Sequence, residues 1–411
     1  MASQKSITLF TQWFDPEPTF KGMVFARELK DLGFEVHVVT GFPNYPGGIV
    51  YDGYKIRLFQ KENIDGINVI RLPLYPSHDK SKLGRIANYL SFAFTSLVYL
   101  LFFARNLTVI YAYHPPLTIG VVASIVRLFR KVSVVYDIQD LWPDTLKSTG
   151  MIGNPKALKV IDAVCNWVYK RVDRIVVLSP GFKRILIERG VPETKIDIIY
   201  NWCAEDQLSH SSVDTDAAFP VDGKFRILFA GNMGLAQALQ SVIDAAKLLQ
   251  DNNSRIEFVF LGGGLEVDNL KLYSAKVGCN NVQFLPQVGM DKVGNYLSSA
   301  DALLVHLRKD PLFEITIPSK TQAYLAVGKP ILMAVSGDAA NLVKSGNCGL
   351  VAESQNAAEI ASAASDLSLL SPKNLEQMGA NGKAFYNSEL ALSVGASKFA
   401  KIFEHEMARL R

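Results

Sequence analysis

Apolar runs rich in Val, Ile, Phe and Tyr alternate along the chain with longer stretches whose apolar positions recur at helical spacing. In the first half this pattern predicts strands over residues 7–13, 36–42, 67–73, 108–114, 133–139, 174–179 and 196–201. Helices are expected between several of them, for example over 23–32, 88–104 and 155–172. The second half repeats the alternation, with strands at 225–230, 256–261, 282–285, 302–307 and 331–334. Continuously apolar strands separated by helices mean parallel sheets covered on both faces, so an α/β chain is expected. Ligands then belong at the carboxyl ends of the strands.

Residues 205–224 (EDQLSHSSVDTDAAFPVDGK) are polar, acidic and turn-rich, as linkers are. We therefore expect a first domain over 1–203, a linker over 204–224 and a second domain over 225–384. Residues 385–411 are expected to form a helix that packs back on the first domain. A length of 411 residues suits two domains, and 49% hydrophobic with 20% charged residues excludes disorder, collagen and coiled coil. Residues 1–6 run straight into a strand pattern, so no signal peptide is expected. Cys165, Cys203, Cys279 and Cys348 form no CxxC pair and read as reduced core thiols of a cytosolic protein.

Charge is uneven: residues 1–202 carry 25 basic against 17 acidic side chains, and residues 203–411 carry 18 against 22. A basic first half fits either a surface facing anions or ordinary scatter of solvated charge. No interleaved basic and aromatic stripe argues for nucleic acid. Residues 89–104 (YLSFAFTSLVYLLFFA) carry no charge. Sixteen helical residues reach only ~24 Å, short of a bilayer core, so spanning is not expected. Two readings stay open, a helix sunk in a membrane interface and a helix buried in the core. The first would use Lys80, Lys82 and Arg85 with Phe92, Leu97 and Phe102. In either case Ser91, Thr95 and Ser96 would line a packed side.

The stretch 313–330 (FEITIPSKTQAYLAVGKP) carries the densest chemistry. Pro318 suits a first helical turn, and Ser319, Lys320 and the free N–H groups there offer a positive end to a phosphate. Gly328 and Pro330 close the helix. A capped helix with a surface lysine fits the same residues. An acidic residue followed by P-S-K, a short helix and G-K-P resembles the E-x7-E region of glycosyltransferase family 4, the retaining two-domain GT-B enzymes. Residues 33–40 (GFEVHVVT), 231–237 (GNMGLAQ) and 378–383 (MGANGK) resemble the same family in order and spacing. Residues 41–48 (GFPNYPGG), 140–144 (DLWPD) and Asn201–Trp202 resemble a subgroup that builds bacterial surface polysaccharides of O-antigen or capsule type.

The resemblance implies two Rossmann-like parallel-sheet domains facing a cleft. It also implies a hexosyl- or N-acetylhexosaminyl-type transferase that moves a sugar from a UDP-sugar with retention. The sugar would be an N-acetylated amino or deoxyamino sugar, and the acceptor a polyprenyl-diphosphate-linked saccharide. The enzyme would sit peripherally on the cytoplasmic membrane surface. Glu314 would contact the donor sugar, and its carboxylate favours positive charge developing at the anomeric carbon. Lys320 would balance the diphosphate. Gln322 stands where the family has a second Glu on the ribose, and brings no charge. Many family members carry Arg and Lys near 231–237. Here Asn232 replaces them, so phosphate binding would rest on Lys320, backbone at Gly231 and Gly234, and Arg308, with Thr316 and Ser319 beside them.

Gly263, within the triple glycine 262–264, reads either as a nucleotide-approach site or as a turn. Lys21 reads either as a phosphate ligand or as a solvated lysine. His114, in YAYHPP, resembles a family histidine near the reacting sugar. Asp140 would accept an acceptor proton, whereas Asp144 reads better as a helix cap. No metal cofactor is expected: the DxD at Asp214 and Asp216 lies in the linker. A nucleotide-sugar epimerase of the same architecture and an inactive membrane scaffold are the competing readings. A dehydrogenase ranks last, because no GxGxxG follows the first strand.

Overall fold

The computed structural model describes residues 5–77, 82–148, 150–205, 208, 219–252 and 255–410, without the side chains of Lys82 and Met290. Lys80, Asp214 and Asp216 lie outside the described residues. Two compact units emerge, Met1–Tyr200 with Leu392–Arg411, and Asn201–Ala391. The first unit thus ends at Tyr200 rather than 203, and the return to it begins at Leu392 rather than 385.

In the first unit, eight strands form one sheet: β1 (Ser6–Phe10), β2 (Glu35–Gly41), β3 (Gln60–Ile64), β4 (Ile67–Leu72), β5 (Val109–Tyr113), β6 (Ser133–Ile138), β7 (Arg174–Val177) and β8 (Ile196–Ile198). Their order is β3-β4-β2-β1-β5-β6-β7-β8. All pairings are parallel except β3 with β4. Every residue of β1, β5 and β6 is buried, the expected result of helices on both faces. β3 is an edge strand that the apolar pattern missed, as it missed the three-residue edge strand Gly349–Val351 of the second unit: QKENI is polar, and exposed positions alternate with half-buried ones.

The second unit holds β9 (Phe225–Ala230), β10 (Ile256–Leu261), β11 (Val282–Leu285), β12 (Ala302–His306), β13 (Ile331–Ala334) and β14 (Gly349–Val351). All pair in parallel, in the order β11-β10-β9-β12-β13-β14. In each sheet the winding direction reverses once, between β1 and β5 and between β9 and β12. Crossovers on the two sides of such a point leave to opposite faces, which opens a crevice at the carboxyl ends.

The helix Leu392–Leu410 completes the first unit. Phe399 meets Tyr111 and Phe25 with ring centroids at 5.2 and 5.3 Å. Phe403 packs edge-on against Phe34. Glu406, almost fully buried, accepts from Ser133 Oγ at 2.7 Å and pairs with Arg409 at 2.9 Å.

The apolar segment forms a helix over Lys82–Val98 that continues through one wider turn, Tyr99–Phe103. It starts six residues before the expected 88. Leu83–Phe103 is long enough to reach ~32 Å, so length alone no longer argues against spanning. Hydrogen bonds do. Asn88 Nδ2 donates to the Tyr75 carbonyl (2.7 Å), Ser91 Oγ accepts from the Tyr75 N–H (2.8 Å), and Thr95 Oγ1 donates to the Pro73 carbonyl (2.8 Å). These three residues pin one face to the loop after β4. Ser96 instead bonds back to the Phe92 carbonyl of its own helix. Nor is the segment a core helix, since only 22% of its apolar window is buried. Leu83, Ile86, Leu90, Phe94, Phe102 and Phe103 are exposed. Phe92 corrects the expected membrane face: it is fully buried and stacks on Phe10. Leu97 and Arg85 are half-buried.

Replacing Phe399 with Ala should cost the first unit about 3–5 kcal/mol, because it empties a site between Phe25, Tyr111 and Phe403. Urea titration followed by far-ultraviolet circular dichroism would register this as an earlier first transition.

Candidate functional site

In the second unit the crevice is built from three turns. After β9 the chain enters Gly231–Asn232–Met233–Gly234 and folds against the turn that follows β10. Gly231 N–H donates to the Leu261 carbonyl (2.8 Å), and Met233 N–H to the Gly263 carbonyl (2.7 Å). Gly262 lies at φ 139°, and a Cβ there would overlap the Gly231 carbonyl. The triple glycine therefore lets two backbones touch, and Gly263 takes part as a carbonyl acceptor for Met233. Asn232 is exposed, and Gly234 N–H is capped by Gln237 Oε1 at 3.0 Å.

After β12, His306 is buried and neutral, its pKa pushed down to about 4 by desolvation. Its Nδ1 lies 2.6 Å from the Gln237 carbonyl, so Nδ1 carries the proton, and Nε2 accepts from the Gln355 N–H (3.2 Å). This histidine, unremarked in the sequence, ties the turn after β9 to the turn before helix Ala357–Leu369. Arg308 follows. Its backbone N–H reaches the Ala236 carbonyl, and its guanidinium meets Asp310 at 3.2 Å and lies over Phe313.

Glu314 closes the short helix Pro311–Glu314, which starts with an Asp310 cap. Its half-buried carboxylate has no hydrogen-bond or ion-pair partner among the described residues. The neighbouring Lys309 pairs instead with Glu353. Gly337, at φ 82°, lies so close that a Cβ would overlap the Glu314 carbonyl. A glycine thus fixes where Glu314 sits, and nothing in the local sequence flagged it. Thr316 Oγ1 donates to the Leu312 carbonyl at 2.7 Å.

Helix Ser319–Val327 begins at Pro318 and ends at Gly328 in the left-handed region. Its first N–H groups have no intrahelical carbonyl to reach. Ser319 is exposed there. Lys320 Nζ sits 4.1 Å from the Phe229 ring centroid, and its stem passes Gly231. No carboxylate pairs with it among the described residues, and burial lowers its pKa to about 8. Tyr324 anchors this helix: its Oη accepts from the Ala230 N–H (3.0 Å) at the end of β9. Gln322 is buried, and its amide end faces the Pro318 and Ser319 carbonyls, which assigns the nitrogen to that side, donating to both at 2.9 Å. That is a helix-start brace rather than an open hydroxyl-binding group.

The first unit shows a different chemistry at its own crevice. Lys21 corrects the phosphate-ligand expectation. It is fully buried, ion-paired with Asp137 and 4.9 Å from the Phe399 ring centroid. Asp137 also accepts from Tyr111 Oη (2.5 Å) and Gln139 Nε2 (2.6 Å). Glu17 is equally enclosed. It accepts N–H bonds from Phe14 (3.2 Å), Asn44 and Tyr45 (2.8 Å each), which pins the 41–48 loop to the loop after β1. Burial raises its pKa to about 7 against the pull of those N–H groups and Arg71.

His114 directly follows β5, with its imidazole edge-on to Trp142 and Tyr136. Burial pushes its pKa down to about 3, and Nδ1 is buried with no hydrogen-bond partner among the described residues. Asp140, half-buried after β6, has no side-chain partner among the described residues, and burial raises its pKa. Asp144 opens helix Asp144–Ser148 and pairs with Arg189. The four cysteines are free and buried. Among the described residues no three His, Cys, Asp or Glu groups cluster as metal ligands.

Two family models match this arrangement, a glycosyl transferase 4-like domain over residues 23–202 and a glycosyl transferases group 1 domain over 214–385. The chain belongs to the GT-B glycosyltransferases. It is 31% identical over 335 residues to WcaI of Escherichia coli K12, a glycosyl transferase named for colanic acid biosynthesis, covering 77% of this chain and 79% of that one. Among solved structures it resembles sucrose-phosphate synthase of Thermosynechococcus elongatus (TM-score 0.73, 15% identity, 99% and 100% of the two chains). It also resembles HepE of Anabaena in complex with UDP and glucose (TM-score 0.65, 18% identity, 97% and 99%).

Replacing Lys21 with Ala leaves Asp137 charged and buried, and should destabilise the first unit by about 3–5 kcal/mol. Combining Lys21→Met with Asp137→Asn should recover most of that loss in the same urea midpoint, an outcome foreign to a phosphate ligand.

Proposed function

We propose that this glycosyltransferase of polysaccharide biosynthesis moves a sugar, an N-acetylated amino or deoxyamino sugar, from a UDP-sugar to a hydroxyl of a polyprenyl-diphosphate-linked saccharide. It retains the anomeric configuration and works on the inner face of the cytoplasmic membrane. The observation that carries the donor half is Lys320. An unpaired cation beside the free N–H groups of a helix start, at a topological switch point, is a seat for a diphosphate. The UDP complex of HepE and the naming of WcaI support the same reading.

In the step we propose, the bond from the anomeric carbon to the β-phosphate oxygen breaks, and the acceptor oxygen bonds the same face of that carbon. The acceptor proton passes to the departing phosphate, and UDP leaves. Lys320, with Arg308 and the backbone N–H groups that open helix Ser319–Val327, meets the charge of the leaving group without a metal, whereas the Gly231 and Gly234 N–H groups are already taken by Leu261 and Gln237. Glu314 stabilises positive charge at the anomeric carbon. In the first unit, neutral His114 offers hydrogen bonds to hydroxyls, and Asp140 orients the acceptor hydroxyl. The exposed apolar face of Leu83–Phe103 supports a peripheral seat on lipid.

Incubating the protein with a panel of UDP-sugars and lipid-diphosphate saccharide should release UDP only when donor and acceptor are both present. Isomerised sugar without acceptor would instead indicate an epimerase, and no turnover with any donor would leave only a scaffold. Glu314→Ala should lower transfer at least about a hundredfold with an unchanged melting curve.

UDP affinity tests Lys320 directly. Its ammonium is charged below about pH 8, and a bound diphosphate holds it charged to higher pH. Calorimetry should therefore show full affinity near pH 7 and a fall approaching tenfold per pH unit above about 8. Lys320→Met should bind UDP about 10–100-fold more weakly at pH 7 and lose that pH dependence.

A further inference from the structure

The helix Lys82–Val98 and its wider last turn do not seal the sheet face beneath them. Between them and β1, β2 and β4 lies a cavity of about 820 Å³, within the roughly 300–1,000 Å³ range of small-ligand sites. It is contained in the first unit. Val39, Ile70 and Leu72 form its floor, and Phe94, Val98 and Phe103 its helical wall. Leu58 and Phe59, both exposed, form its outer lip. Its lining runs from His37 and Asn68, in the amino halves of β2 and β4, to Leu72 and Pro73 at the carboxyl end of β4. The charged side chains along it are Lys61 and Arg105. His37 also lines it and faces Glu35 at 3.3 Å.

An elongated apolar chamber that opens beside an exposed apolar helix face, and is bordered by basic groups, matches one amphiphile. We infer that the cavity holds the hydrocarbon chain of the acceptor's isoprenoid phosphate carrier. The helix Leu83–Phe103 then presents the lipid surface from which that chain enters. This rests on the acceptor being lipid-linked, as proposed above. Charge complementarity sets the occupant. A lipid phosphate meets Lys61 and Arg105, and no acidic residue lines the chamber among the described residues to repel it. A second protein would need a broad flat patch, whereas this space is concave and accepts a single flexible chain.

The test titrates farnesyl phosphate, farnesol and inorganic phosphate into the full chain by calorimetry, with UDP as a parallel ligand. Farnesyl phosphate should bind one per chain and inorganic phosphate should not. Val98→Trp, which fills the chamber, should weaken farnesyl phosphate about tenfold or more and leave UDP affinity unchanged. Phe103→Asp, at an exposed rim position that tolerates polar groups, should do the same and serves if the first variant misfolds. Lys61→Ser with Arg105→Ser should weaken farnesyl phosphate but not farnesol. Wild-type farnesyl phosphate affinity in a folded Val98→Trp or Phe103→Asp chain overturns the inference, as does equal binding of inorganic phosphate or occlusion of the patch by dimerisation in size-exclusion chromatography. Loss of UDP binding in the wild-type chain would sink the donor reading instead, and the farnesyl phosphate titration would still report on the cavity.

Discussion

Removing a lysine ammonium from water is costly unless an anion accompanies it, and Lys21 and Lys320 meet that cost in opposite ways. Lys21 carries its anion with it. Asp137 sits against it, and Tyr111 and Gln139 satisfy the rest of that carboxylate. The result is a closed structural unit, sealed by Phe399 of the C-terminal helix. Lys320 has no such partner among the described residues and sits part-buried over an aromatic ring. Desolvation shows in its lowered pKa, and that unfavourable free energy falls when an anion arrives. Tyr324, Gly231 and the inward brace of Gln322 hold the helix start in place.

The strands were legible because a parallel strand buried on both faces has to be apolar throughout, as β1 (SITLF) and β10 (IEFVFL) are. β3 was not, because an edge strand has no such requirement and QKENI satisfies its own conditions. Glu314 and Lys320 were legible as charges on the short helices between β12 and β13. What each charge does was not, because the sequence does not say which partner reaches it. Lys21 reads as a phosphate ligand or a solvated lysine until Asp137, 116 positions away, is seen beside it. Gly337 and Tyr324 were invisible for the same reason. One leaves room for a carbonyl and the other reaches across to β9, and both facts belong to packing. The MGANGK stretch is similar: a Cβ on Gly379 would overlap the Gly328 carbonyl, so that motif keeps a helix tight against the end of Ser319–Val327.

The segment after residue 82 shows why hydropathy alone gives two answers. Its polar residues Asn88, Ser91 and Thr95 are few but share one face, and each is spent on backbone groups of the loop after β4. That seam fixes the helix to the domain. The rest of its circumference stays apolar and largely uncovered. A core helix would have buried that surface, and a spanning helix would have had no use for the seam. A surface helix with one polar seam and a broad apolar remainder satisfies both observations, and is the form expected of an element that lies along an interface.

The two sheets have the same winding around their switch points but opposite electrostatics there. After β9 and β12 the second unit offers a free cation and a helix start, although that half of the chain is net acidic. After β5 and β6 the first unit offers a neutral imidazole and a carboxylate whose pKa is raised, although that half is net basic. Bulk charge and site charge are therefore independent, and the site follows from local desolvation. A cationic crevice suits a diphosphate leaving group. A crevice with a neutral imidazole and no free cation among the described residues suits a hydroxyl that must keep its proton until the bond to phosphate breaks. A transferase needs both environments, and one shared fold supplies them because the winding fixes where ligands bind, and only the side chains at the strand ends decide which ligand that is.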